Sequence, residues 1–122
     1  MNIKIQTKSG EPIYAQIVRQ IKDLMINNTL TKGESLPSIR SLAMELKISV
    51  ITTKRAYEEL EKEGLIYSVP GKGFYVDSVD VQYMEEKKVQ GVEEELVQLI
   101  EKCKKAGISL EEVKDMVEIL WE

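Results

Sequence analysis

Apolar residues recur at helical spacing through most of this chain and at strand spacing in only a short part of it. After Pro12, which suits a first helical turn, Ile13, Tyr14, Ile17, Val18, Ile21, Leu24 and Met25 share one stripe and predict a helix running to about Asn27. Asn27 to Glu34 is dense in turn formers and predicts a loop back to Leu36. Next come shorter stripes: Ile39, Leu42, Ala43 and Leu46 behind Ser38, then Val50, Thr53, Ala56, Tyr57 and Leu60 behind Ser49. Each serine can accept a hydrogen bond from an orphaned backbone N–H of the turn that follows, so each caps a helix. Gly64 stands where the second of these helices needs a left-handed residue to stop. Ile66 to Val69 and Phe74 to Val76 are β-branched and aromatic, with Pro70-Gly71-Lys72-Gly73 between them, and predict a β-hairpin. At the start of the chain Ile3 and Ile5 alternate with polar residues and predict a short extended arm.

Two short helices joined by a tight turn and followed by a hairpin make a winged helix-turn-helix, and that makes DNA the leading ligand. The second helix leaves Ile51, Thr52, Lys54 and Arg55 outside its stripe, groups of a size and chemistry that can touch bases and phosphates in a major groove. Thr52 and Lys54 are the best groove candidates. Arg55 has two candidate partners, a phosphate or Glu59 at i+4. Arg40 lies on the preceding helix, and Lys72, between Gly71 and Gly73, rides at the tip of the wing where no bulk holds the backbone away from a phosphate. Tyr57 belongs to the apolar stripe and is read as packing.

From about Val81 the composition turns to Glu, Lys and aliphatic residues. Val89, Val92, Leu96, Leu99, Ile100 and Cys103 fall on one helical face, Ala106-Gly107-Ile108 breaks it, and Ser109 with Glu112 forms a capping box that opens a last helix lined by Leu110, Val113, Met116, Val117 and Leu120. Two such helices cannot bury both stripes alone, so Val92, Leu96, Leu99, Leu110, Val113, Val117 and Leu120 are expected to pair with a second copy of the chain. The expected architecture is mainly α with a small β-hairpin, a winged helix-turn-helix domain over residues 1–77 and a two-helix dimerisation tail over 78–122.

Five elements stand in order: Pro12-Ile13-Tyr14-Ala15-Gln16-Ile17, Leu36-Pro37-Ser38-Ile39-Arg40, the Ser49-opened helix, Glu61-Lys62-Glu63-Gly64-Leu65-Ile66 and Gly71-Lys72-Gly73. Over residues 12–76 the chain thereby resembles the DNA-binding domain of the GntR family of bacterial transcription regulators, and its Ile-Tyr-x-Gln-Ile opening and short tail are similar to the YtrA-like group. The resemblance implies DNA contacts by Arg40, Ser49, Val50, Ile51, Thr52, Lys54, Gly71 and Lys72. It also implies a homodimeric repressor on a pseudopalindromic operator. Val50 stands where many relatives carry arginine, and Ile39 where an acidic residue is usual.

A net charge of −4 is the wrong sign for a polyanion ligand until it is mapped. Residues 1–80 hold 11 Lys and Arg against 10 Asp and Glu, a net +1, whereas residues 81–122 hold 6 against 11, a net −5. From Arg40 to Tyr57 the local balance is +3, with Arg40, Lys47, Lys54 and Arg55 against Glu45. At 122 residues there is room for one modest core and an appendage, with no space for an enclosed ligand domain; any small-molecule effector, whose identity the sequence does not give, has to sit at the dimer interface or between tail and DNA-binding domain. A chain with no histidine and one cysteine offers no multi-cysteine zinc site, no intramolecular disulfide and no separated nucleophile and base, so neither a cofactor, a metal nor an enzymatic role is expected. No apolar run approaches the ~20 residues of a membrane span. A cytoplasmic location is expected. The remaining alternative is a winged helix that binds protein in place of DNA.

Overall fold

The computed structural model describes all 122 residues. The chain forms α1 (Ile13–Ile26), α2 (Ile39–Leu46), α3 (Val50–Lys62), β1 (Ile66–Val69), β2 (Gly73–Val76), α4 (Val81–Lys105) and α5 (Leu110–Leu120). It divides into a unit over Met1–Met84 and another over Glu85–Glu122.

In the first unit α3 packs on both α1 and α2, and the hairpin closes the open side. Ile17, Ile21 and Met25 of α1, Leu42 of α2, Ala56, Tyr57 and Leu60 of α3, and Ile66 and Val76 of the strands form one buried cluster, joined by Ile3, Leu30 and Leu36. At ~1.5–3 kcal/mol for each large side chain taken from water, this shared core explains why helices as short as α2 hold their shape. Ser38 and Ser49 cap α2 and α3, their hydroxyls accepting from the N–H of Ser41 and Thr52 at 3.0 and 3.1 Å.

The helix ends share one device. After α1, α2, α3 and α4 the chain turns through Asn28, Lys47, Gly64 and Gly107, all with φ between 57° and 77°. In each case the next N–H reaches back across the last turn, as from Ile48 to the Ala43 carbonyl at 3.0 Å and from Leu65 to Leu60 at 3.0 Å, which satisfies carbonyls the helix has orphaned. Lys47 does this without glycine's freedom, at the turn between α2 and α3.

Three local expectations change. Pro12 lies just outside α1 as its N-cap and not within the first turn. The loop before α2 contributes an additional edge to the wing: Gly33 N–H donates to the Val76 carbonyl, Val76 N–H to Glu34 and Leu36 N–H to Phe74, at 2.8 to 2.9 Å, with a bridge between Ser35 and Tyr75. The extended arm has no strand partner; side-chain amides of α1 take that place. Gln16 accepts from Gln6 N–H at 2.8 Å and donates to the Gln6 and Glu11 carbonyls at 2.9 Å, while Gln20 pairs in the same two-way manner with Lys4. With the even residues held so, Ile3 is buried and Ile5 half-buried.

In the second unit α5 begins with the expected capping box, Ser109 and Glu112 each serving the other's backbone N–H. Neither tail helix has a fully buried residue. Val92, Leu96, Leu99, Leu110, Val117 and Leu120 are exposed, and Cys103, Ile108 and Val113 are half-buried.

Candidate nucleic-acid interface

The expected DNA-contacting residues fall on the end of α2 nearest its cap, the first turns of α3 and the tip of the wing. Tyr57 joins these places. Its buried hydroxyl donates to the Pro37 carbonyl at 2.7 Å, just ahead of α2, and its ring meets Phe74 of β2 edge-on with centroids 5.0 Å apart. Burial pushes its phenol far above the ordinary range, and the nearby charge of Glu45 adds to the shift. Tyr57 therefore works as packing, as its place in the stripe predicts.

At the mouth of α3 the Ser49 hydroxyl donates to Thr52 Oγ1 at 2.7 Å while accepting from Thr52 N–H, which leaves the Thr52 hydroxyl its own proton to give outward. Thr53 is fully buried despite its hydroxyl, because Oγ1 donates to the Ser49 carbonyl at 3.1 Å. Val50 departs from expectation in its packing: placed in the apolar stripe by spacing, it is 50% exposed at the first position of α3. Ile51 beside it is 80% exposed.

The basic groups differ in how free they are. Arg40 is exposed with no ion-pair partner. Lys54 approaches Glu58 at 3.7 Å, both of them exposed, a pairing worth at most ~0.5 kcal/mol and readily exchanged for a phosphate. Arg55 does not pair with Glu59: its guanidinium lies over the Tyr14 ring of α1, 3.8 Å from the centroid. Stacking uses the face of that planar group and leaves its N–H edge open to an anion. Tyr14 has no signal in the sequence for this role beyond being an aromatic at the start of α1.

In the wing Val69-Pro70-Gly71-Lys72 closes with a 2.9 Å bond from Lys72 N–H to the Val69 carbonyl, with Gly71 at φ 75° as the third residue of a type II turn requires. Gly73 at φ 114° re-enters the ladder opposite Val69. Lys72 thus has its backbone in the turn and its side chain in solvent. No group of three or more carboxylates and thiols is placed to hold a metal ion, and no helix is long and apolar enough to cross a membrane.

A capped recognition helix standing on a three-helix core, with a basic hairpin beside it, defines the winged helix-turn-helix class of DNA-binding proteins. The chain belongs to the bacterial regulatory proteins of the gntR family, whose sequence profile matches residues 13–76. It is similar to the HTH-type transcriptional repressor YtrA of Bacillus subtilis (strain 168), 36% identical over 115 residues that cover 94% of this chain and 88% of the relative. Its fold is similar to that of YtrA from Sulfolobus acidocaldarius, a GntR-family transcription factor, with a TM-score of 0.61 and 37% identity over 74% of this chain and 95% of that one. It is also similar to the DNA-binding domain of AraR in complex with operator ORX1, with a TM-score of 0.55 and 25% identity over 62% of this chain and 95% of that one. The protein is a DNA-binding transcriptional regulator of the YtrA-like group and not an enzyme.

Proposed function

We propose that the protein acts as a homodimer on a pseudopalindromic operator and represses by occupying the promoter. Arg40, Ser49, Thr52, Lys54, Arg55, Gly71, Lys72 and Gly73 hold the phosphate backbone and groove floor, and the tail joins the protomers. The observation that carries this reading is the contrast between the two units: one buries a complete core, while α4 and α5 bury nothing fully. Val89, Val92, Leu96, Leu99 and Cys103 recur at alternate spacings of three and four, the seam by which one helix pairs with another. Each exposed valine or leucine is worth ~1.5–3 kcal/mol when covered, so several from each protomer suffice to offset the ~4–15 kcal/mol cost of association. Twofold pairing in turn suits an inverted repeat. The excess acidic charge is carried by residues 81–122 and not by the locally basic segment from Arg40 to Tyr57, and the working location is the cytoplasm, with the genome.

Selection of bound duplexes from random DNA by the full-length protein tests the reading. An inverted repeat with half-sites whole helical turns apart, ~10 base pairs each, is the expected product. Enrichment of no sequence, with binding to a protein partner in its place, would overturn it.

A further inference from the structure

The recognition helix opens with apolar side chains that the free chain does not use. Thr53, Ala56, Tyr57 and Leu60 hold α3 in place and are fully buried, whereas Val50 and Ile51 stand 50% and 80% exposed and lie outside the core cluster. Ser49 supplies the cap, so neither residue is needed to start the helix. β-Branched residues are also poorer helix formers than the straight-chain residues that ordinarily fill exposed positions. Their presence is therefore a small cost to the free fold, and it sits on the turn that carries Thr52 and precedes Lys54.

A major groove presents hydrogen-bond donors, acceptors and one apolar feature, the 5-methyl group of thymine. Valine and isoleucine cannot pair with the edges of guanine or adenine, and pressed against them they would leave base polar atoms dry and unbonded. Resting on the DNA-binding reading above, we infer that Val50 and Ile51 select thymine methyl groups in each half-site. Specificity at those positions then comes from shape and apolar contact, with directional bonds left to Thr52 and the basic residues.

The test uses the full-length protein and the duplexes recovered by selection. Deoxyuridine in place of a half-site thymine removes one methyl, and losing the ~0.8 kcal/mol of one buried CH₂-sized group weakens binding about fourfold. Where cytosine replaces that thymine, a 5-methyl on the cytosine restores part of the loss. A double Val50→Ala, Ile51→Ala variant, with both changes outside the buried core cluster, should bind the thymine and uracil duplexes within about twofold of each other. Specific binding that is indifferent to uracil at every half-site thymine would overturn the inference and leave the DNA-binding reading intact. Uracil sensitivity that persists in the double variant also overturns it, by moving the methyl contact to Thr52. If no duplex is enriched at all, the inference falls together with the reading it rests on.

Discussion

Tyr57 fixes three parts of the interface with one side chain: its hydroxyl holds the entry to α2, its ring packs on β2, and its backbone belongs to α3. Removing the hydroxyl strands the Pro37 carbonyl, so Tyr57→Phe should lower stability by ~1–2 kcal/mol in denaturant melts. The loss should depend on pH in a defined direction. Because the folded phenol is raised, it keeps a proton that the unfolded chain releases near pH ~10. Wild-type stability from this group is intact below that value and declines as pH rises above it, so the gap between wild type and Tyr57→Phe should narrow in alkali. A gap that stays constant to high pH would contradict the burial of this phenol. At this scale the sequence was legible where a residue's role follows from spacing, as for Tyr57, and illegible where it depends on what covers it. Thr53 and Val50 share the stripe, yet the threonine is buried because its hydroxyl has the Ser49 carbonyl, and the valine at the first helical position is exposed.

Among the elements, α1 supports the recognition helix through Tyr14 as well as through its core face. The Arg55 guanidinium rests over that ring, and on the proposed function this contact orients an otherwise flexible side chain for a phosphate. Arg55→Ala should weaken operator binding about fivefold, in keeping with ~1 kcal/mol for an exposed contact of this kind. Tyr14→Leu should cost a similar factor, add little in the Arg55→Ala background, and be rescued by Tyr14→Phe, which keeps the ring. Fully additive losses in that double-mutant cycle would show that the two residues act separately. The capped helices and the Pro-Gly-Lys-Gly turn were readable because they rest on local chemistry that the sequence spells out. The edge formed by residues 33–36 was not, since Gly33 and Glu34 contribute backbone N–H and C=O groups that leave no hydrophobic period. Gln16 offered a fainter clue: a carboxamide inside the α1 stripe implies buried partners, here the arm's backbone.

For the whole molecule, net charge misleads unless it is resolved along the chain, because a locally basic recognition segment shares the chain with a tail of net −5. On the function proposed above, the cations of the winged unit serve the phosphate backbone and the exposed aliphatic faces of the tail serve a second copy. The tail helices were legible from periodicity and the Ser109 cap, which are local signals. The most direct test of this account is the salt dependence of full-length protein binding to its selected operator, read as log Kd against log salt concentration. Each phosphate contact contributes ~0.9 to the slope, so a dimer using Lys72 twice should show a slope of several units that falls by about two in Lys72→Ala. A fall of about one would indicate that only one wing engages DNA, and a slope near zero, or one unchanged by the loss of Lys72, would contradict the account.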